Sequence, residues 1–155
     1  MTNANVLSPP LASAHTLPHA DQPRRLRSVG AVAAGLVSIF AVTTAVDAVM
    51  HATGVYPPVG APAMGHGLFA LAFAYRFVID VAGCALTARL APRRPMRHAM
   101  VLGAIGVVLS IAGGIAMWDP SRAWYPIALA ASSFPCAWLG GRLATRRRAT
   151  APVVA

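Results

Sequence analysis

The segment Gly67–Leu86, GLFALAFAYRFVIDVAGCAL, decides the predicted fold because it is largely apolar yet contains Arg76 and Asp80. At about 1.5 Å of rise per residue, a helix of this length crosses the hydrocarbon core of a bilayer, which is about 30 Å thick. Arg76 then falls near the middle of the membrane, where a charged side chain is costly. Such residues usually face the interior of a helix bundle. The segment therefore predicts a membrane-spanning helix that packs against other helices.

The composition also favours a membrane protein. Of the 155 residues, 57% are hydrophobic and 11% are charged, whereas soluble domains contain roughly 25% charged residues. The net charge of +9 comes from thirteen arginines and four aspartates, and almost all of the arginines lie beside the apolar runs. That distribution is typical of membrane topology and not of a phosphate-binding face. We therefore expect the lipid bilayer as surroundings and no nucleic-acid partner.

Four apolar runs predict an all-α protein, a four-helix transmembrane bundle with antiparallel, up-down-up-down order. The predicted helices cover about residues 29–50, 65–90, 98–118 and 124–143, within a transmembrane domain at 28–144. Residues 1–27 lack an apolar block and predict a disordered cytoplasmic tail. Residues 145–155 predict a disordered basic tail.

The arginines predict the orientation of the bundle. Three precede the first run, four lie between the second and third, and four follow the fourth, whereas only Arg122 lies in a loop on the opposite side. Because positively charged flanks stay in the cytoplasm, both termini are predicted to be cytoplasmic. The Ala-rich, Lys-free composition is typical of a bacterial GC-rich genome. The predicted location is the bacterial cytoplasmic (inner) membrane, as a multi-pass protein.

Arg76 and Asp80 are the central polar candidates. They are spaced i, i+4 and can neutralise one another, although arginine before aspartate is the less favourable order in a helix. Arginine has five donors, so further partners are expected near mid-membrane. The intramembrane candidates are Arg76, Asp80, Asp47, Ser110, Ser132 and Ser133.

A second group of polar residues is expected at the outer ends of the first two helices. His51 follows Asp47 by four residues, and His66 begins the second helix at a similar depth. These outer-mouth candidates predict either a proton or metal cluster or ordinary interfacial side chains. No cofactor or metal motif occurs, and no nucleophile has a base at recognisable spacing, so we expect no cofactor, no metal and no catalytic residue. Cys84 and Cys136 are expected to be packing residues.

The third helix carries a face of small residues, Gly106, Ser110 and Gly114. Such a face allows close helix contact in lipid. It predicts packing within the bundle or against a partner, which would be a second copy of the chain or another membrane protein.

Two segments carry a resemblance. Residues 54–60, GVYPPVG, and residues 88–106, ARLAPRRPMRHAMVLGAIG, resemble segments of uncharacterised small bacterial four-span inner-membrane proteins. The resemblance covers the hydrophobic body of the chain and implies no activity.

Three functions remain open on the sequence. The first, which the sequence favours over the other two, is a structural or interaction component of the membrane. The second is a small proton-coupled transporter or carrier that uses Arg76 and Asp80. The third is a membrane enzyme with an outer site of Asp47, His51 and His66. A carrier needs a polar cavity that reaches Arg76 or Asp80 from at least one side, whereas a packing role needs that pair buried and internally satisfied.

Overall fold

A computed structural model describes residues 22–58 and 64–149 of the chain, and these form four long α-helices. The helices are α1 (Gln22–Ala52), α2 (His66–Leu90), α3 (Pro95–Ala116) and α4 (Trp124–Ala149). A single 3₁₀ turn at Pro120–Arg122 comes before α4. All regular structure in the described residues is helical, which confirms the predicted all-α class.

Three of the helices are long and apolar enough to cross a membrane, at Arg25–Ala52, His66–Leu90 and Pro95–Ala116. This length and composition indicate a helical membrane protein. The fourth helix does not meet the same standard. Its apolar run is diluted by polar and helix-breaking residues, among them Ser132, Ser133 and Pro135.

The first helix begins earlier than the sequence predicted. Residues 22–27, expected in the N-terminal tail, belong to α1. Pro23 lies in the first turn, where its missing N–H leaves no hydrogen bond unmade, and no helix-breaking residue follows before the apolar run. The fourth helix likewise continues past residue 143 to Ala149. The disorder predicted for residues 1–21 and 150–155 lies outside the described residues.

The interior of the bundle is built from small side chains. Its buried cluster consists of Cys84, Ala88, Ala99, Leu102, Ala137 and Ala144. A Cβ on Gly140 of α4 would lie 2.5 Å from the carbonyl oxygen of Val81 and 2.7 Å from the amide nitrogen of Ala85 on α2. The backbones of α2 and α4 are therefore in direct contact. Close approach of this kind supplies the packing attraction between helices in lipid.

The predicted small-residue face of α3 packs on α4. A Cβ on Gly106 would lie 3.2 Å from Ser133 Oγ, and one on Gly114 would lie 2.7 Å from Pro126 Cβ. At these two positions the face is occupied within the bundle.

Large apolar side chains lie on the outside of the bundle. Phe40 is 74% exposed, Ile115 is 70% exposed and Val78 is 66% exposed. Exposed apolar surface on this scale is unusual for a soluble monomer and suits contact with acyl chains.

The first helix is the most loosely held element. Gly35 of α1 packs against Thr87 of α2, and Ile39 packs against Gly83. Contacts of α1 with α3 are few. This arrangement leaves open space between α1 and α3 that is bordered by the polar residues described next.

Candidate functional site

Arg76, near the middle of α2, connects three helices. Its Nη2 lies 2.7 Å from Oδ2 of Asp47 on α1 and forms an ion pair with it. Its Nη1 donates a hydrogen bond of 2.6 Å to the hydroxyl of Tyr125 on α4. Charge-assisted hydrogen bonds are stronger than neutral ones. The guanidinium therefore holds α1, α2 and α4 together at one level of the bundle.

Two tyrosines extend this network toward the connection between α1 and α2. The hydroxyl of Tyr75 donates to Oδ1 of Asp47. The hydroxyl of Tyr56 donates to the hydroxyl of Tyr75 at 3.3 Å. Tyr56 itself is buried, with a relative exposure of 3%. Both carboxylate oxygens of Asp47 are thus engaged, one by Tyr75 and one by Arg76.

The predicted pair between Arg76 and Asp80 is not formed. Asp80 has no hydrogen bond or ion pair within the described part of the chain. The reason is the direction of helical side chains, which lean toward the N-terminus of their own helix. Arg76 therefore reaches back toward Asp47 and Tyr125, away from the following turn where Asp80 lies.

Asp80 borders a cavity of about 330 Å³, which we call the central cavity. Its polar lining residues are Thr43, Thr44, Asp47, Arg76, Asp80, Ser110 and Ser133. The remaining lining side chains are apolar or cysteine. Two carboxylates and one guanidinium therefore face the same space inside a helical membrane protein.

A second cavity, of about 490 Å³, lies beside the turn between α3 and α4, and we call it the turn cavity. Trp118 and Arg122 border it at the turn, and Tyr125 borders it at the start of α4. Arg76 and Ser110 line both cavities. The turn cavity therefore extends from one end of the bundle to the guanidinium of Arg76.

The turn carries a neutralised pair of charges. Asp119 Oδ2 lies 3.0 Å from Arg122 Nη1. Oδ1 of Asp119 accepts hydrogen bonds from the Ser121 hydroxyl at 2.7 Å and from the Ser121 backbone N–H at 3.0 Å. These hydrogen bonds lower the pKa of Asp119 below its ordinary value, so its carboxylate stays charged beside Arg122 at neutral pH.

The three serine candidates have different surroundings. Ser132 and Ser133 both donate to the carbonyl of Leu129 within α4, at 3.0 Å and 2.9 Å. Ser133 also borders the central cavity, as does Ser110. No hydrogen bond joins these serines to Arg76 among the described residues, since Asp47 and Tyr125 take the place predicted for them.

The outer-mouth candidates are not brought together. Nδ1 of His51 lies 2.9 Å from the carbonyl oxygen of Pro57. Nδ1 of His66 accepts a hydrogen bond of 3.1 Å from Nε1 of Trp124. Asp47 is engaged by Tyr75 and Arg76 instead. Within residues 22–58 and 64–149, no group of three or more histidine, cysteine or acidic side chains is placed to hold a metal.

The two cysteines are free and buried, and both border the central cavity. Cys136 Sγ lies 3.7 Å from the carbonyl oxygen of Phe77 on α2. They contribute small apolar surface between α2 and α4.

Sequence reasoning missed the tyrosines. Tyr56, Tyr75 and Tyr125 are not among the polar candidates that the sequence identifies. A signal was present at Tyr75, because a tyrosine inside a spanning segment needs a partner for its hydroxyl. Tyr75 is adjacent to Arg76 in the sequence, so its hydroxyl was a candidate member of the network around Arg76.

Comparison of this chain with protein-family models, curated proteins and solved structures finds no match.

Proposed function

We propose that the protein spans the bacterial cytoplasmic membrane four times, with both termini in the cytoplasm. Contacts between the helices support alternating directions: Asp47, late in α1, meets Arg76 of α2, while Gly35, earlier in α1, meets Thr87. Gly141, late in α4, lies against Met96 at the start of α3. The arginine-rich segments then fall at one end of the bundle, as the positive-inside rule requires. The chain is, on this proposal, one of the small four-span inner-membrane proteins that it resembles.

Within that topology, the protein acts as a small proton-coupled carrier. The observation that carries this proposal is Asp80, which lines the central cavity with no ion pair in the described part of the chain, close to the engaged guanidinium of Arg76. Ionisable residues at membrane depth are costly, and those that border a cavity are typical of proton relays and substrate paths. A purely structural role would instead satisfy Asp80 with a partner inside the bundle, as it does Arg76.

The charges suggest how a proton and a ligand are coupled. Asp47, Asp80 and Arg76 face one cavity, so their summed formal charge is negative when both carboxylates are ionised. A proton on Asp80 removes that excess, and a small anion then binds near Arg76 without facing two carboxylates. Loss of the proton from Asp80 restores the repulsion and favours release of the anion. Proton and anion therefore move together.

Two structural features would serve ligand access to Arg76 and movement of the helices. The turn cavity gives a path to Arg76 from one end of the bundle. Pro135 lies inside α4, where it removes one helical hydrogen bond and permits bending. A bend at this level would change the space around Ser133 and Cys136, which line the central cavity.

The second candidate is a structural or interaction component of the membrane. The contact of Arg76 with both Asp47 and Tyr125 favours it, because a guanidinium shared by three helices stabilises one arrangement of the bundle. On this proposal small-residue surfaces would hold a second copy or another membrane protein. The membrane enzyme has no such support, since Asp47, His51 and His66 contact different partners.

Proton flux in proteoliposomes separates the two candidates. Purified protein is reconstituted with a pH-sensitive dye inside, and an inward gradient of protons is imposed with chloride, nitrate or phosphate outside. We expect anion-dependent acidification that Asp80→Asn abolishes and that Asp119→Asn, the matched change at the α3–α4 turn, leaves unchanged. Unaltered thermal unfolding of both variants in detergent serves as the folding control. Absence of flux for the wild type with every anion, or equal flux for Asp80→Asn, would overturn the carrier proposal.

A further inference from the structure

A groove lies between the start of α1 and the start of α3, at the opposite end of the bundle from the turn cavity. Its volume is about 790 Å³, and we call it the basic groove. Its polar lining residues are Ser28, Arg93, Arg94, Arg97 and His98, and its apolar lining residues are Val29, Val32, Ala33, Leu36 and Val101. None of these residues takes part in the central site except Leu36, which borders both spaces.

The positive charge of the basic groove is uncompensated. Arg93, Arg94 and Arg97 are exposed, and no ion pair or side-chain hydrogen bond engages their guanidinium groups in the part of the chain that the structure describes. The described aspartates lie elsewhere, at the central cavity and at the α3–α4 turn. Arginines without carboxylate partners make a site for an anion.

The arginines are presented by a short, ordered turn. The carbonyl oxygen of Arg94 accepts a hydrogen bond of 3.0 Å from the backbone N–H of Arg97. The same oxygen lies 3.3 Å from Nδ1 of His98. On the proposed topology, this turn follows the membrane-spanning α2, and its basic groups are then at headgroup level on the cytoplasmic side.

The rest of the groove is apolar and runs along the helices. Val29, Val32 and Leu36 follow one another at helical spacing on α1, and Val101 faces the same space from α3. From Val29 to Leu36 the rise is about 10 Å, which is several methylene groups of an extended chain. The groove is therefore basic at its end and apolar along its length.

We propose that the basic groove binds one anionic phospholipid. Its phosphate contacts Arg93, Arg94 and Arg97, and one acyl chain lies along Val29, Val32 and Leu36. Basic pockets between helices on the cytoplasmic side of membrane proteins suit such headgroups. A free phosphate would make no contact with the apolar wall. A lipid without net charge would not neutralise three unpaired arginines. The pairing of charge and apolar length points to the anionic lipid.

Native mass spectrometry of the delipidated, full-length protein in a neutral detergent tests the proposal. We expect one phosphatidylglycerol to bind at least tenfold more tightly than phosphatidylcholine with the same acyl chains. The variant Arg93→Gln/Arg94→Gln/Arg97→Gln loses that preference. The control Arg146→Gln/Arg147→Gln/Arg148→Gln removes the same charge from the C-terminal segment and keeps it. Thermal unfolding in detergent checks that both triple variants remain folded.

A second variant tests the apolar wall without a change of charge. Ala33 is exposed at the groove, so Ala33→Trp fills the space and is expected to weaken phosphatidylglycerol binding about tenfold. Competition by soluble glycerol phosphate at the same concentration as the lipid would mark a free-anion site and overturn the lipid assignment. Equal binding of the two lipids, or equal losses in the two triple variants, would also overturn it.

Discussion

Arg76 forms its ion pair with Asp47, at 2.7 Å across the α1–α2 contact, while Asp80 one turn away on the same helix stays unpaired among the described residues. The two carboxylates that border the central cavity therefore differ in their contacts with the guanidinium. Asp47 is held by Arg76 and by Tyr75, so it contributes to the structure of the bundle. Asp80 borders the cavity and has no ion pair in the described part of the chain, so on the carrier proposal it is the group that exchanges a proton.

Double-mutant cycles in detergent distinguish the two carboxylates. We expect a coupling free energy of about 1 to 3 kcal/mol between Arg76→Leu and Asp47→Leu, because residues in direct ionic contact are non-additive. The cycle of Arg76→Leu with Asp80→Leu should give a smaller coupling. The measurement is the free energy of unfolding of each single and double variant. A larger coupling for Asp80 than for Asp47 would show that Arg76 pairs within its own helix.

Tyr125→Phe removes the hydroxyl that accepts from Arg76 Nη1 at 2.6 Å. We expect a loss of about 1 to 3 kcal/mol in the free energy of unfolding, since the removal leaves a charged donor without its partner. Tyr56→Phe is the matched control, because its hydroxyl makes a longer bond of 3.3 Å to a neutral group. A loss at Tyr56 equal to that at Tyr125 would contradict the importance of the arginine contact.

Gly140→Ala tests the backbone contact between α4 and α2. A Cβ at this position would meet the Val81 carbonyl oxygen at 2.5 Å, so overpacking should lower the free energy of unfolding by about 1 to 3 kcal/mol. Gly30→Ala is the control, since no atom lies within 4 Å of a Cβ there. That change should be neutral or stabilise α1 by up to about 1 kcal/mol through helix propensity. Equal effects of the two substitutions would argue against the close contact.

Cysteine labelling on intact cells checks the proposed topology. The two native cysteines, which are buried, are first replaced by Cys84→Ala and Cys136→Ala. Single cysteines are then introduced at Ala61 and at Ala155. A membrane-impermeant maleimide should label Ala61→Cys in intact cells and Ala155→Cys only after permeabilisation. Labelling at Ala155 in intact cells would place the C-terminus outside and reverse the orientation.

The positions of the helices could be predicted from the sequence because α1, α2 and α3 each contain a continuous apolar run of membrane length, and α4 contains a more diluted one. Their ends were less predictable. Arginines at 24, 25 and 27 are good helix formers, so α1 extends back to Gln22 through a segment that looks like a polar tail. Hydropathy identifies the part of a helix that prefers lipid, and it carries no information on where the helical hydrogen bonds begin.

The partner of Arg76 could not be predicted in the same way. Sequence spacing identifies neighbours on one helix, and the i, i+4 spacing therefore predicted Asp80 as the partner of Arg76. The contact with Asp47 depends on the angle and register between α1 and α2, which the close approach at Gly35 and Gly83 determines. The residues Arg76, Asp80 and Asp47 were identified as candidates, but how they are paired depends on tertiary packing.

Tyr56 gives the connection between α1 and α2 a role that its proline-rich sequence conceals. Its ring is buried and its hydroxyl reaches Tyr75, which in turn bonds Asp47. An affinity tag or fluorescent protein inserted beside Tyr56 would therefore disturb the hydrogen bonds of Asp47, although the insertion itself is made in the connection between two helices.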